Sequence, residues 1–439
     1  MATTTQLRRA VASSYLGSVI EYYDFLLYGT AAALVFNKVF FSSLDPLVGT
    51  IASFGTFATG YLARPLGGVL FGHYGDRLGR KKMLILSMTV MGVASFLIGV
   101  LPTYAQAGWL APALLVLLRV LQGVAVGGEW GGAVLMSAEH ATTRRGLWAS
   151  FTNAGAPSGM VLSNLVLTAT TVVVGNDALV QWGWRVPFLL SVVLLGVGLF
   201  VRLKVDETPV FRSARTRPPA PLVDVLRHHP RSLLLAIGVG LAAFVVQSTL
   251  TTYLLSYGVQ QGIERQSIVT ALTVSSALAV AGILGWSALS DRVGRRPVVL
   301  AGAVLMAAYA FVLFPLVDNG FILVALVLGQ SVLHPMMYGP LAALYSELFS
   351  TGSRYTGASL GYQIAGLGAG LAPLLFAQVQ KSTGGVAAIP FVIAAFCLLT
   401  VVCTVVLHET SRTSLTGDGD AERGTGQLAT PPGAHGADA

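Results

Sequence analysis

The chain alternates between long apolar stretches and short polar breaks over nearly its whole length. The apolar runs are rich in Ala, Leu, Val and Gly, and a helix needs about 20 such residues to cross a bilayer. Helices are the expected spanning form, because lipid offers no water to unpaired backbone groups. The pattern predicts an all-α membrane protein with twelve transmembrane helices. The predicted spans are residues 11–38, 48–74, 83–101, 110–138, 146–174, 186–203, 231–259, 268–289, 297–316, 319–346, 356–380 and 386–407.

A short basic loop occurs twice, as Gly75–Lys81 and, 215 positions later, as Ser290–Arg296. Each copy follows two apolar stretches, so the chain is predicted to consist of two pseudo-symmetric six-helix bundles related by an axis along the membrane normal. The predicted units are an N-terminal bundle, a cytoplasmic connector with a short amphipathic segment, a C-terminal bundle and a disordered cytoplasmic tail. Their bounds are residues 1–204, 205–230, 231–408 and 409–439.

The composition agrees with a membrane location, since 54% of the residues are hydrophobic and only 10% are charged. A soluble domain could not cover its surface with so few charges. The net charge of +8 is explained by topology, because 21 of the 27 lysines and arginines fall on the side of the N-terminus. Positive residues stay in the cytoplasm, which predicts a multi-pass protein of the cell (inner) membrane with both termini cytoplasmic. No nucleic-acid partner is predicted.

The repeated loops are predicted to form gates. The aspartate of each copy can cap the following helix and accept from nearby arginines, and the glycines permit a tight turn. At the next turn on the same side, a glutamate precedes an arginine in each half. Two equivalent copies favour a salt-bridged closure that breaks when the halves rock, over a turn that only satisfies topology. The predicted gating residues are Gly75, Asp76, Arg77, Gly79, Arg80, Glu139, Arg145, Asp291, Arg292, Gly294, Arg295, Glu347 and Arg354.

Five charged residues lie deep inside the predicted spans, away from their ends, and all of them are in the first half: Glu21, Asp24, Arg64, Arg119 and Glu129. Such groups are costly in a membrane and usually functional. Glu21, Arg64 and Glu129 lie at a similar depth, roughly 13 to 15 Å from one face by helix rise. Three carboxylates against two guanidinium groups leave one carboxylate unpaired. We therefore predict an ion pair between Arg64 and Glu129 and a proton carried by Glu21 or Asp24. A static packing network is the alternative.

The second half offers neutral polar residues in its spans. Three of them, on the tenth span, recur at four-residue intervals and so form one stripe that should face a cavity rather than lipid. The predicted cavity residues are Tyr28, Gln247, Gln330, His334, Tyr338 and Gln363. Arg119, and Arg64 if Glu129 does not hold it, could bind a substrate carboxylate, and the stripe could bind hydroxyls.

The sequence argues against an enzyme or a sensor. It contains no nucleophile motif and no cluster of metal ligands, and its polar segments are too short to fold as an output domain. A carrier of a small molecule is predicted, with the proton as coupling ion, no metal and no other cofactor.

Several runs together resemble the metabolite:proton symporter family of the major facilitator superfamily. Beside the repeated loops these are Ile20–Phe25, Ala63–Gly68, Gly127–Gly132, Trp182–Phe188, Glu207–Phe211, Ser346–Phe349 and Arg354–Ser359. The run from Tyr23 to Phe41 is most similar to the branch that includes a bacterial shikimate carrier. The resemblance implies symport of a proton with a shikimate-like or other small carboxylate by alternating access, and we expect a monomer.

Two alternatives stay open from the same resemblance. The family also includes proline/betaine carriers, although this chain lacks the long C-terminal coiled coil of the osmosensing members. The run Gly155–Gly159 partly resembles a helix pattern of drug:proton antiporters, so proton-coupled efflux is a second alternative. Ser18 departs from the family, which often has Asn at that position.

Overall fold

The computed structural model describes residues 4–208, 210–211, 220–413 and 415, and these residues are almost entirely helical. Twelve long helices follow one another. They are α1 (Thr4–Ala31), α2 (Pro46–Leu78), α3 (Arg80–Val100), α4 (Leu110–His140), α5 (Arg145–Val174), α6 (Arg185–Leu203), α7 (Pro230–Gln260), α8 (Arg265–Val293), α9 (Arg295–Asp318), α10 (Ile322–Leu348), α11 (Arg354–Thr383) and α12 (Ile389–Val406). The helices α7 and α10 each contain a wider π-helical turn, at Thr249–Tyr253 and Val327–Leu333.

Ten of these helices, α3 to α12, are long and apolar enough to cross a membrane by length and composition. The other two, α1 and α2, are equally long but carry Glu21, Asp24 and Arg64. The exposed large side chains of the peripheral helices α6 and α12 are apolar, for example Phe200 and Leu398. The predicted twelve-helix membrane fold is confirmed.

The two halves pack by the same rule. In the first half α1 packs on α5, α2 on α4 and α3 on α6, and in the second half α7 packs on α11, α8 on α10 and α9 on α12. The halves meet where α2 contacts α11 and where α5 contacts α8. This repetition confirms the two pseudo-symmetric six-helix bundles.

Both termini of the described bundle lie at one end, which also carries the two repeated loops. The Gln6 side chain donates to Asp206 at 3.2 Å, which places the start of α1 beside the end of α6. We call this the basic end, defined by the loops at residues 75–81, 139–146, 290–296 and 347–354. The repeated loops turn at Gly79 (φ +112°) and Gly294 (φ +103°), where a side chain would be strained.

The predicted connector is described only in part, because residues 209 and 212–219 lie outside the described chain. The predicted amphipathic segment forms the helix Pro221–His228. This connector helix buries Val225 and contacts both α2 and α11. It therefore covers the basic end of one of the two contacts between the halves.

The predicted tail is corrected at its first residues. Glu409 accepts from the backbone N–H of Arg295 at 2.9 Å, and the carbonyl oxygen of Thr413 accepts from Arg145 at 3.0 Å. Leu415 is buried, with 6% of its surface exposed. Residues 409–413 and 415 thus pack across the basic end. The Glu409 side chain and the Thr413 carbonyl oxygen are held there by hydrogen bonds from the two halves. Residues 416–439 lie outside the described chain.

Candidate functional site

A cavity of about 60 Å³ lies between the halves at mid-height. Four of the predicted cavity residues line it, namely Gln247, Gln330, His334 and Tyr338. Gln330 lies within the π-helical turn of α10, and such turns often occur at functional sites. A water molecule takes about 30 Å³ in the liquid. The cavity is therefore narrow in this conformation and has room for a few water molecules.

Tyr28 does not reach this cavity, so its predicted role is wrong. Its hydroxyl donates to Thr56 at 2.7 Å, and its ring packs edge-on against Phe36, 5.1 Å away between centroids. Tyr22, six residues earlier and on another face of α1, lines the cavity instead. Sequence spacing gave no signal to choose between them, because it does not say which face of α1 points to the other half.

Arg64, on α2, is the cation that lines the cavity. Its Nε donates to Gln363 Oε1 at 2.8 Å, and Gln363 in turn donates to the carbonyl oxygen of Gly127 at 3.1 Å. Its guanidinium lies 5.4 Å from the ring centroids of both Phe25 and Tyr61. Within the described chain, Nη2 of this buried guanidinium has no hydrogen-bond partner. Arg64 is thus held in a fixed orientation with a donor to spare.

The predicted ion pair between Arg64 and Glu129 is wrong. Glu129 pairs with Arg202, from the last turn of α6, and also accepts from Ser87 at 2.9 Å. Arg202 was not among the charges expected inside the bundle, but it turns inward and is 3% exposed. Gly17 makes room for it, since a Cβ there would overlap the guanidinium. The signal was available, because residue 202 lies inside the predicted span 186–203.

Away from the basic end, the buried charges of the first half are therefore three carboxylates and three guanidinium groups. Asp24 accepts a hydrogen bond from the Ser191 hydroxyl. Arg119 does not line the cavity, so its predicted contact with a substrate carboxylate has no support from its position. It is enclosed by aromatic rings, 3.9 Å from the Phe25 centroid and 4.2 Å from that of Tyr28.

Glu21 is the exception among these charges. It is 2% exposed, and among the described residues neither of its carboxylate oxygens has a hydrogen-bond or ion-pair partner. The charges that act on it from longer range are Arg64 and Arg202. An ionised carboxylate without a donor is far more costly in a dry interior than a protonated carboxyl. Glu21 is the buried carboxyl best suited to carry a proton.

A chain of tyrosine hydroxyls joins the halves beside Arg64. Tyr362 lies 2.7 Å from Tyr338 and 3.1 Å from Tyr22, hydroxyl to hydroxyl. Trp130 stacks on the Tyr362 ring with 3.5 Å between centroids, and its Nε1 donates to Asn153 at 2.8 Å. Sequence reasoning missed this cluster, because its members come from five different helices.

The basic end is closed by the two repeated aspartates. Asp76 accepts from the backbone N–H of Thr356 at 2.9 Å, and Asp291 accepts from that of Gly146 at 2.7 Å. These groups are at the start of α11 and of α5, in the opposite half. The prediction that each aspartate caps the following helix is therefore wrong. Each aspartate instead caps the start of a helix in the other half. Gly75 allows this approach, since a Cβ there would overlap the Tyr355 ring.

Buried arginines connect each aspartate to a glutamate. Near Asp76, Arg80 lies 3.2 Å from Glu139, which lies 3.2 Å from Arg354 of the other half. Arg80 is also 3.8 Å from Asp76. Guanidinium and carboxylate groups thus alternate across the boundary between the halves.

The second network repeats the first. Arg295 lies 2.7 Å from Asp291 and 3.3 Å from Glu347, and Glu347 lies 3.0 Å from Arg145 of the first half. The predicted gating residues Arg77 and Arg292 are exposed. The two networks join the halves at the basic end in this conformation.

The helices that follow the repeated loops receive other caps. Glu207 accepts from the backbone N–H of Lys81 at 3.1 Å, and Glu409 accepts from that of Arg296 at 3.1 Å. Burial raises the pKa of the Glu409 carboxyl, but the N–H groups that donate to it outweigh burial and hold that pKa below its usual value. Thr410, next in sequence, donates to Glu347 at 2.7 Å. Sequence reasoning missed this role, although the Glu-Thr pair recurs 202 positions apart.

Loss of both caps between the halves is expected to open the basic end. Replacing Asp76 and Asp291 with alanine removes caps worth about 1 kcal/mol each, which favours the open state about fivefold per site. Double electron–electron resonance between spin labels at Leu78 and Val293, with both native cysteines changed to alanine, should show a longer distance. Asp224→Ala is the matched control, because Asp224 pairs with His228 inside the connector helix. An unchanged distance in the double variant would show that these caps do not hold the gate.

The chain matches known transporters over most of its length. The model of the Major Facilitator Superfamily matches residues 15–373 and 260–433. The shikimate transporter of Escherichia coli is 36% identical over 420 residues, which cover 93% of this chain and 96% of that protein. The inner membrane metabolite transport protein YhjE of Escherichia coli is 37% identical, with 93% and 95% covered. The proline/betaine transporter of Salmonella typhimurium is 32% identical, with 94% and 85% covered.

The fold is also shared with solved structures. The proton:xylose symporter XylE superposes with a TM-score of 0.76 and 17% identity, over 93% of this chain and 98% of that one. The partially occluded inward open conformation of XylE from E. coli superposes less well, with a TM-score of 0.69. Because family model, curated relatives and fold agree, this chain belongs to the Major Facilitator Superfamily and is a multi-pass membrane transporter rather than an enzyme.

Proposed function

We propose that this transporter carries a small organic acid together with a proton across the cell membrane, with its basic end in the cytoplasm. The observation that carries the proposal is a spare guanidinium donor on Arg64, which lines the central cavity, together with a buried, partnerless carboxyl on Glu21 that the charge of Arg64 reaches. Two proteins similar to it are a proton:xylose symporter and a shikimate transporter. The distribution of basic residues supports the orientation.

Arg64 binds the substrate carboxylate in this proposal. Its Nη2 is free while its Nε is held by Gln363, so the guanidinium is oriented before the substrate arrives. A guanidinium suits a carboxylate because it donates two parallel hydrogen bonds. Gln247, Gln330 and His334, on the opposite wall of the cavity, bind hydroxyl groups. A hydroxylated carboxylate of the shikimate type fits this division of the cavity.

Glu21 carries the proton. Glu129 is neutralised by Arg202, and one oxygen of Asp24 accepts from Ser191, whereas in the described chain neither oxygen of Glu21 has a partner. When Glu21 is protonated, the positive charge of Arg64 is not shared with it and attracts the substrate. The loaded site is then neutral, and the halves can rock past each other at low electrostatic cost. Release of the proton on the cytoplasmic side returns a carboxylate that competes for Arg64 and helps to expel the substrate. No cofactor takes part.

The substrate class is tested by uptake into proteoliposomes. Radiolabelled shikimate, α-ketoglutarate, citrate, proline and betaine are compared with an inward proton gradient and with an uncoupler. We expect accumulation of a hydroxylated carboxylate that the uncoupler abolishes. Preferred accumulation of betaine or proline would favour the osmolyte alternative, and proton-driven extrusion would favour antiport.

Changing Arg64 to lysine is expected to raise the KM for that substrate about tenfold or more, because lysine loses the paired donors of the guanidinium. The maximal rate should fall less, since the charge is kept. Arg185→Lys is the control, because Arg185 donates to the carbonyl oxygens of Gly99 and Leu101 at the opposite end. If both variants keep the original KM, Arg64 does not bind the substrate.

A further inference from the structure

A second and larger cavity, of about 500 Å³, opens at the basic end where α5 meets α8. Four arginines line it together with Asp291, Thr142, Thr143 and Ser411, and we call it the arginine cavity. The arginines are Arg144, Arg145, Arg292 and Arg295. Two of them belong to each half, so the cavity spans the boundary between the moving parts.

The arginine cavity has a positive charge that the described residues do not balance. Arg145 and Arg295 are paired with Glu347 and Asp291, which leaves them neutral as a group. Within the part of the chain that the structure describes, Arg144 and Arg292 form no ion pair, and both are exposed. Two uncompensated guanidinium groups facing one cavity attract an anion, and guanidinium geometry suits phosphate.

Arg144 is held there at a conformational cost. Its φ of +50° makes it the one non-glycine residue with a left-handed backbone among the described residues. Such a conformation costs of order 1 kcal/mol or more and tends to persist at functional sites. In the second half the corresponding residue, before Arg354, is Ser353, with an ordinary φ of −126°. The charge is thus specific to the first half.

The two contacts between the halves also differ in what covers them at the basic end. At the α2–α11 contact, the connector helix Pro221–His228 covers the basic end and buries Val225. At the α5–α8 contact, no helix of the described chain takes that place, and the arginine cavity is open. Symmetry of the fold therefore provides two equivalent grooves, of which a helix of the described chain covers one.

One wall of the arginine cavity is apolar and continues along the outside of α8. Gly285 and Leu289 line it, and Gly285 has open space where a side chain would be. Val274, Leu278 and Leu289 are exposed on α8, separated by whole turns from one another and from Gly285, so they form a stripe along the surface that faces lipid. A soluble anion would gain nothing from this stripe, whereas an acyl chain would.

We propose that the arginine cavity binds the phosphate headgroup of an anionic phospholipid, with an acyl chain along the exposed stripe of α8. The headgroup bridges Arg144 of the first half and Arg292 of the second while the basic end is closed. Opening breaks the contact of Asp291 with Gly146 and separates these arginines. The lipid therefore binds the closed state more tightly and shifts the population toward it. This inference is independent of which substrate or coupling ion the transporter uses.

The test combines lipid binding with a distance measurement. Native mass spectrometry of the full chain with phosphatidylglycerol is expected to show about one tightly retained lipid, and with phosphatidylcholine none. Arg144→Gln with Arg292→Gln should weaken that binding about 10- to 30-fold, as two surface charges imply. In nanodiscs, raising the phosphatidylglycerol fraction should shorten the distance between labels at Leu78 and Val293 in the original chain but not in the double variant.

Arg8→Gln with Arg9→Gln is the matched control, because both arginines are exposed at the basic end and outside the cavity. It should keep the bound lipid and the distance response. Glycerol 3-phosphate serves as the soluble phosphate for comparison. At millimolar concentration it should neither displace the lipid nor change the distance between the labels at Leu78 and Val293. Equal lipid binding by both double variants, or an equal effect of glycerol 3-phosphate, would overturn the proposal.

Discussion

Glu21→Gln is expected to abolish proton-driven accumulation of substrate while exchange of substrate across the membrane continues. Glutamine has the shape of the protonated acid and stays neutral, so the cavity can still bind substrate beside Arg64. It cannot release a proton, so an inward proton gradient no longer drives uptake. In proteoliposomes, uptake with a pH gradient should fall to the level without one, and a pH dye should report no proton entry with substrate. Counterflow of labelled substrate should remain within a few fold of the original chain.

Asp24→Asn is the comparison that makes this result specific. Asp24 lies one turn from Glu21 on α1 but accepts from the Ser191 hydroxyl, a partner that an amide oxygen can keep. We expect substrate-linked proton entry to persist in this variant. The reverse pattern, with coupling lost in Asp24→Asn and kept in Glu21→Gln, would transfer the proton to Asp24. Unchanged proton entry in both variants would show that neither Glu21 nor Asp24 carries the proton.

Arg202→Met is expected to destabilise the protein by about 3 to 5 kcal/mol, because Glu129 is left as a buried charge without its partner. The measurement is the midpoint of thermal unfolding in detergent, with the fraction of monodisperse protein after heating. Glu129→Gln combined with Arg202→Met removes both charges at similar volume. This double variant should recover most of the lost stability, since a buried pair replaced by neutral groups is often neutral in stability.

Arg227→Met is the control for loss of a single arginine, because Arg227 is exposed on the connector helix. It should leave the unfolding midpoint nearly unchanged. If Arg202→Met is as stable as the original chain, or if the double variant is less stable than the single one, Glu129 and Arg202 do not form the structural pair described here. Glu129 would then become a second candidate for the proton.

The site shows how far sequence reasoning reaches. Depth along a helix follows from counting residues, so Glu21, Arg64 and Glu129 were correctly expected inside the bundle. Rotation about the helix axis does not follow from counting. For that reason Arg64 was expected to pair with Glu129, although it bonds Gln363 of the other half. The stripe on α10 succeeded because four-residue spacing alone places its members on one face.

The repeated loops also show what the sequence could predict and what it could not. Two copies of a basic loop, in equivalent positions, predicted that Asp76 and Asp291 close the basic end. The partners could not be found from the sequence, because Asp76 bonds Thr356, 280 residues away, and Asp291 bonds Gly146, 145 residues away. Local capping rules favoured the following helix, which instead receives Glu207 or Glu409. The aspartates bond distant partners because packing of the two halves brings the unpaired backbone N–H groups at the starts of α11 and α5 against them.

By itself, the sequence determined the class, the twelve helices, their division into two similar halves and the end of the bundle that carries the basic loops. These follow from hydrophobic run length, from the composition of loops and from internal repetition, which are all local properties of the chain. Only the tertiary structure decided which charges are paired, which carboxyl is left without a donor and which of two equivalent grooves stays open. Those outcomes depend on helix rotation and on contacts between residues far apart in sequence, and no local pattern encodes either.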